Sequence, residues 1–429
     1  MTDNLPSASA PLRPRNRNRS EGAPTRHGQL RSRHPLATAA KWLAAVVGVL
    51  AVSTASVAAF AIYDTVSNTK PGIHLATLPG TKAKPVPDIG AIEGGANLLL
   101  VGTDTRTGQA GFETKSDLAG SSGAGNNDVT MLLHISADHT NASVVSFPRD
   151  MIVSAPACGD RPAASGVMFN STLARGGLSC TVLTVEKMTG LSIPYAAEIS
   201  FGGVIAMSNA VGGVTVCLAT PVKDKFVQLD LPAGQQTLEG ATALAFVRSR
   251  HGVGDGSDLG RISNQQVFLS ALMRKVTSAG VLSNPLTLYG LAKAAVANMQ
   301  LSDGLTRPTN LVSIALALKG IGLENMVFLQ YPTIGDPANP ARVIPQQSSA
   351  NILNAALRAD QPVTLTGKTG RAAEVDPAAP VTPAPGASAP ATPSATGSAT
   401  PDPTSSAVAL PSDVSGQSAS QQTCTKGNR

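Results

Sequence analysis

Charge and aromatic rings are both scarce in this 429-residue chain: 14% of residues are charged, 3% are aromatic, and there is one tryptophan. The six histidines form neither an H-x-x-x-H nor an H-E-x-x-H arrangement, so a zinc hydrolase site of that type is excluded. No G-x-S-x-G elbow appears, and no covalent nucleophile stands out. The "GKT" at Gly367–Thr369 has Pro362 where a phosphate-binding loop needs its first glycine, and "GVGDGSDLG" lacks the βαβ context of a dinucleotide site. Nucleotide-driven chemistry therefore drops out.

Positive charge is also missing from most of the chain. Residues 1–41 hold Arg13, Arg15, Arg17, Arg19, Arg26, Arg31, Arg33 and Lys41 against Asp3 and Glu21, which equals the whole-chain net charge of +6. The remainder is balanced, so a nucleic-acid partner loses its electrostatic support. Next comes "WLAAVVGVLAVSTASVAAFAIY", Trp42–Tyr63, with no charged residue. At about 1.5 Å per helical residue it spans the roughly 30 Å core of a bilayer. The arginines on its N-terminal side place that side in the cytoplasm and the rest of the chain outside. A cleaved signal peptide is the alternative, although such apolar regions usually run about 7–15 residues.

The expected organisation is a basic cytoplasmic tail (1–41), a transmembrane helix (42–63), a stalk (64–91), one catalytic domain (92–368, core motifs 95–280) and a disordered Pro/Ala/Ser/Thr-rich tail (369–429). Four cysteines in an exported chain suggest disulfides. Cys158 and Cys180 share one irregular segment and pair first; Cys217 reads as a thiol in a buried strand, Cys424 lies near the C-terminus, and three pairings stay open.

Within the domain, "ANLLLVG", "VTMLLHI" and "ASVVSF" read as strands, and "LSCTVLTVEKMTG" and residues 259–278 as helices. On the second helix Ile262, Leu269, Leu272, Met273 and Val276 form an apolar stripe. The fold class is α/β, a central mixed sheet with an antiparallel start, flanked by helices. If the first three strands form a meander, one sheet edge carries Asp104, Asp128, Arg149 and Asp150. The polar segment 105–127 between the first two reads as a mobile rim.

"FVRSRHGVGDGSDLGR", residues 246–261, gathers three arginines that repel one another unless an anion lies between them. "ALAFVRSRH" reads as a strand, putting Arg248 and Arg250 on one face; Asp258 reads as an N-cap, with Arg261 and Gln265 neighbours on the helix that follows. Arginine suits bidentate phosphate contact, and two aspartates beside phosphate oxygens suit Mg²⁺. A pyrophosphate is the inferred anion.

"NLLLVGTDTR", "NNDVTMLLHI", "VVSFPRDMIV", "FNSTLARGG", "AVGGVTVCL" and "LEGATALAFVRSRHGVGDGSDLGRISNQQ" together resemble the successive motifs of the LytR-CpsA-Psr family, actinobacterial type. The resemblance implies an α-β-α core and a membrane-anchored phosphotransferase. Such an enzyme moves a glycopolymer from a polyprenyl-(pyro)phosphate carrier to a peptidoglycan hydroxyl, with polyprenyl-pyrophosphate phosphatase activity as a side reaction. It further implies Asp104 and Asp128 as ligands of Mg²⁺ (or Mn²⁺) and an arginine clamp of Arg149, Arg248, Arg250 and Arg261, supported by Asp258 and Gln265. Two positions depart from the pattern. Asn126 stands where many members have arginine, and Met168 and Phe169 where many carry lysine. Asp104 and Asp150 both stay open as general base. A non-catalytic envelope protein that binds lipid-linked glycans, or a scaffold for wall enzymes, is the other class; it needs arginines but no pair of converging carboxylates.

Overall fold

The computed structural model describes residues 40–41, 43–44, 71–78, 94–107, 125–278, 291, 294–377 and 407–428. The chain divides into two units, Met1–Phe60 and Ala61–Arg429. Of the first, only helical residues 40–41 and 43–44 are described, so the span expected at 42–63 lies almost wholly outside the described residues. Among the described residues no helix is long and apolar enough to cross a membrane.

The main sheet of the second unit contains β1 (Ala96–Thr103), β2 (Asn127–Ile135), β3 (Ala142–Phe147), β6 (Tyr195–Ile199), β11 (Met299–Leu301), β12 (Met326–Gln330) and β18 (Gly416–Ser418). Their order is β11-β6-β1-β2-β3-β12-β18. The β1–β2 and β2–β3 pairs are antiparallel, as the meander reading requires, whereas β6 joins β1 and β12 joins β3 in parallel. The sheet is therefore mixed.

Its central strands are apolar on both faces because helices cover both. On one face Leu99, Leu132, Val145 and Phe147 pack with Leu178, Val182 and Val185 of α1 (Thr172–Thr189) and with Leu353 and Leu357 of α6 (Gln347–Arg358). On the other, Leu98, Leu133 and Tyr195 pack with Ile314 and Ala317 of α5 (Pro308–Gly320) and with Leu269 and Met273 of α4 (Asp258–Ser278). Leu99 is fully buried, and Leu99→Ala should cost about 2–5 kcal/mol through lost transfer energy and the cavity left behind.

A third core lies under a smaller sheet of β10 (Gly234–Leu238), β7 (Val214–Leu218), β19 (Thr423–Thr425) and β16 (Ala373–Val375), in that order. Val214, Val216 and Leu218 meet Phe246 of α3 (Gly240–Arg248) and Phe268, Ala271, Leu272 and Val276 of α4. The apolar stripe expected on α4 thus divides between two cores. Short two-stranded pairs complete the unit: β4 (Ile152–Ala155) with β5 (Ala164–Met168), β8 (Val222–Asp224) with β9 (Leu229–Leu231), β13 (Thr333–Asp336) with β14 (Asn339–Pro345), and β15 (Val363–Leu365) with β17 (Val408–Leu410). A further helix, α2, is Phe201–Ala210, and residues 294–298 are also helical.

Several expectations need correction. "ALAFVR" is helical, not extended: Ala243, Phe246 and Val247 pack inward at helical spacing, and Ala241, Ala243 and Ala245 of the helix favour that state. Of the tail 369–429, expected to be disordered, residues 373–375 form β16 and residues 407–428 carry β17, β18 and β19, with β19 paired on both sides. Residues 71–78, expected in the stalk, are extended but packed, since Ile73 bridges Ser302 and its N–H donates to Leu301 O at 2.9 Å. The first helix begins at Thr172, before Leu178, and is kinked at Gly176 and Gly177. Cys158–Cys180 is a disulfide, and Cys217, read as a thiol, is bonded to Cys424 across 207 residues.

Candidate active site

β1 ends in a bulge between Gly102 and Thr103, immediately before Asp104. Asp104 is held by the returning chain: Asn126 N donates to Oδ1 at 2.6 Å, Asn126 Nδ2 to Oδ2 at 3.3 Å, and Asp104 N to Asn126 O at 3.1 Å. That approach needs Gly125, with φ +72°, because a Cβ there would lie 2.6 Å from Thr105 N and 2.7 Å from Asp104 Oδ1. Asn126, noted as a departure from the family pattern, therefore serves to orient a site carboxylate.

Asp128, the second residue of β2, forms a direct ion pair with Arg149 Nη1, which follows β3. The two side chains are 21% and 26% exposed, so both are reachable from solvent. Burial pushes the Asp128 carboxyl above its usual value, and Asp104 and Asp258 push the same way against Arg149 and Arg261. On Arg149 the opposite balance holds: Asp128, Asp150 and Asp258 together outweigh burial and raise the guanidinium. The Asp128 carboxylate is thus under-solvated as an ion, with Asp104 and Asp258 adding to the cost. Two converging carboxylates so placed fit a divalent cation that completes its shell with phosphate oxygens.

Asp150 sits between Arg149 Nε at 3.5 Å and Arg342 Nη1 at 3.1 Å. Both guanidinium groups approach the same oxygen, Oδ1.

The second half of the site descends from α3 and α4. Arg248 is the last residue of α3; its guanidinium lies 4.1 Å from the centre of the Phe201 ring, a cation–π contact. Burial lowers its pKa, then Arg106; the fields of Asp128, Arg261 and Asp104 also reach it. Gln265 Nε2 donates to Val247 O at 2.9 Å and Asn264 Nδ2 to Phe246 O at 2.7 Å, so α4 fixes the last turn of α3. Gln265 thereby supports Arg248 through the backbone.

Arg261 and Asp258 form an ion pair at 2.6 Å with side chains 8% and 7% exposed. Arg261 Nη2 also donates to Asp128 O at 2.7 Å, and Asp258 Oδ2 accepts from Arg149 N at 3.2 Å. This buried pair welds α4 to the ends of β2 and β3. Asp258 is not the N-cap expected: Ser257 Oγ accepts from Gly260 N at 3.2 Å, which leaves the Asp258 carboxylate for the arginines.

Arg250 is the exception among the expected clamp residues. Because α3 ends at Arg248, the two arginines do not share a strand face. Arg250 Nε donates to Gly256 O at 3.4 Å, and among the described residues no ion pair joins it to Asp104 or Asp128. Arg106, two residues after Asp104 and present in "TDTR", is a site arginine that pattern reading left out. Arg342 had no signal at all, being 192 residues from Asp150. Of the rim 105–127, residues 108–124 lie outside the described residues. A second cluster, Cys217, Cys424 and Asp376, has its sulfurs tied in a disulfide and offers no thiolate to a metal.

The arrangement is a sheet edge with two carboxylates, ringed by guanidinium groups from three parts of the chain. The chain matches the LytR_cpsA_psr family over residues 56–358, more than half of its length. The protein belongs to the LytR_cpsA_psr family. It is 37% identical over 227 residues to the probable cell wall biosynthesis protein LcpB of Corynebacterium glutamicum, covering 53% of this chain and 52% of that one. It is 29% identical over 254 residues to the polyisoprenyl-teichoic acid–peptidoglycan teichoic acid transferase TagT of Bacillus subtilis, covering 56% and 71% respectively. The chain thus spans about half the length of its corynebacterial relative. Protein gbs0355 of Streptococcus agalactiae, known from its crystal structure, shares the fold with a TM-score of 0.50 at 20% identity, over 62% of this chain and 87% of that one. Membership supports the mixed α/β architecture expected of the family.

Proposed function

We propose that this protein transfers a glycopolymer from a polyprenyl pyrophosphate to a hydroxyl of peptidoglycan, outside the cell, held at the membrane by residues 42–63. The observation that carries this reading is the convergence of Asp104 and Asp128 with Arg149 and Arg248 at one sheet edge. It is supported by the names of the relatives, a cell wall biosynthesis protein and a teichoic acid–peptidoglycan transferase.

Asp104 and Asp128 would hold Mg²⁺ (or Mn²⁺), which supplies charge neutralisation on the phosphate oxygens. Arg149 and Arg248, with Arg106 beside them, bind the pyrophosphate and stabilise charge on the bridging oxygen as its bond breaks. The acceptor hydroxyl adds to the phosphorus bearing the glycopolymer as that phosphorus parts from the bridging oxygen; polyprenyl phosphate leaves with the bridging oxygen, and Asp104 or Asp150 takes the hydroxyl proton. Arg261 and Asp258 are too buried to clamp substrate; they keep Asp128 and Arg149 in register. Asn126 orients Asp104.

The test is release of polyprenyl phosphate from a lipid-pyrophosphate glycan, with and without a chelator. Activity that requires a divalent cation and collapses in Asp128→Ala and Arg149→Ala supports the proposal. Wild-type rates in both variants would discard the site. Glycan binding without turnover would favour the envelope-binding class.

A further inference from the structure

Asp224 is a carboxylate the proposed reaction does not use, yet it is only 2% exposed and fully engaged. At the end of β8, its Oδ2 accepts hydrogen bonds from Ser249 Oγ at 2.8 Å, Arg250 N at 3.1 Å and Gly252 N at 3.1 Å. Its Oδ1 accepts from Phe226 N at 3.0 Å. Burial alone would raise its pKa, but the bonds from Ser249, Gly252, Phe226 and Arg250 outweigh that and hold it below the usual value. One buried anion therefore gathers the backbone that begins at the residue after Arg248.

Two independent contacts join the same pieces. A Cβ on Gly252 would lie 2.7 Å from Lys223 O, 2.8 Å from Asp224 Cβ and 2.9 Å from Ser249 Oγ, so the turn and the β8–β9 hairpin meet with no room for a side chain. At the hairpin tip the Phe226 and His251 rings are 4.5 Å apart. From the other side the C-terminal segment holds the turn, with Asn428 N donating to Gly252 O at 2.9 Å and Gly254 N to Lys426 O at 2.9 Å.

Such bracing answers an electrostatic problem. Arg248 has Arg106 and Arg261 among its charged neighbours, and without a bound anion these repel it. We propose that Asp224 is a positioning residue: it fixes the 249–252 turn so that Arg248 meets the pyrophosphate already in place. Donors that need no reordering on binding contribute more of their interaction energy. This inference rests on the pyrophosphate reading of the site, and the experiment below separates the two.

Calorimetric titration of the full-length, detergent-solubilised protein with inorganic pyrophosphate and Mg²⁺ is paired with hydrogen exchange of residues 246–256. Asp224→Asn should weaken pyrophosphate about tenfold or more, and Ser249→Ala, which removes one of the four bonds, about threefold. Gly252→Ala should act in the same direction by forcing the hairpin and turn apart. In each variant the 249–254 amides should exchange faster, regain protection at saturating pyrophosphate, and leave exchange in β1–β3 unchanged. Should Asp224→Asn fail to fold, the other two variants carry the test. Equal affinity and equal loop exchange in variants and wild type would overturn the positioning role alone. So would faster exchange in β1–β3 to the same degree as the loop, which marks general destabilisation. A wild type that binds no pyrophosphate would overturn the reading of the site together with this inference.

Discussion

The two halves of the site are built in opposite ways. Asp104, Asp128 and Arg149 stand at the ends of three consecutive antiparallel strands, so hairpin connection alone brings them to one edge. Arg248, Arg250 and Arg261 occupy a helix end, a glycine-rich turn and a buried helix start, held by ties from distant residues: Asp224, Asn264, Gln265 and the C-terminal segment. A clamp formed from a meander is carried by the sheet core. A clamp formed from a turn needs its own supports, and those supports are where the two halves can be told apart by mutation.

The largest effect should come from the link that anchors the C-terminal segment beside the turn. Cys217–Cys424 closes 207 residues, and a chain-entropy estimate gives it about 5 kcal/mol, against roughly 3 kcal/mol for the 22-residue closure of Cys158–Cys180. Denaturant titration of Cys217→Ser and Cys158→Ser should rank them in that order, with loss of amide protection in the first variant concentrated at 250–256 and β19. Equal losses, or losses spread evenly over β1–β3, would dissolve the contrast between the halves.

Next in size is the clamp itself. Arg149→Ala should lower kcat/KM for the lipid pyrophosphate by roughly 10²–10³-fold, corresponding to about 2.7–4 kcal/mol of lost transition-state stabilisation. Arg248→Ala should fall in the same range. Arg250→Ala should cost far less, because its guanidinium is turned to Gly256 O. Comparable losses at 248 and 250 would restore the shared-face arrangement that the helix has replaced.

Asp128 provides a pH test. Its folded pKa is raised, so its contribution to stability is present below the unfolded value near 3.8 and is lost as pH rises through the folded value. At neutral pH the ionised group therefore costs stability. Asp128→Asn should leave thermal stability unchanged or higher at neutral pH, with the difference shrinking in acid, while activity is lost. The acid limb of the wild-type rate profile should lie above the usual aspartate range and move down as Mg²⁺ is raised. The smallest expected effect is at Phe201: Phe201→Leu removes the ring under Arg248 and should cost about 0.5–2 kcal/mol in pyrophosphate binding, read by calorimetry.

What could be read without coordinates follows the same division. "LLLVG", "VTMLLHI" and "VVSF" carry enough apolar residues to declare buried strands; the short turn between the last two fixes their pairing, and the meander reading adds the first across residues 104–126, so the carboxylate edge is legible. "ALAFVRSRH" offers alternation at its end and helical spacing at its start, and packing of Ala243 and Phe246 against the third core decides for the helix. The strand "TCT" at β19 is too short to show a period and lies close to a linker-like stretch; only pairing with β7 and β16 and the bond to Cys217 make it a strand. Arg342 and Asp224 act through tertiary contacts, 192 and 25 residues from the partners they hold, which no local pattern encodes.

The most direct test of the central claim is a crystal structure of this protein with a polyprenyl pyrophosphate and Mn²⁺, read by anomalous scattering. The account predicts one manganese peak bridging the Asp104 and Asp128 carboxylates, with pyrophosphate oxygens on Mn²⁺ and on the guanidinium groups of Arg149 and Arg248. A pyrophosphate bound elsewhere, or bound here with no metal between the two aspartates, would contradict it.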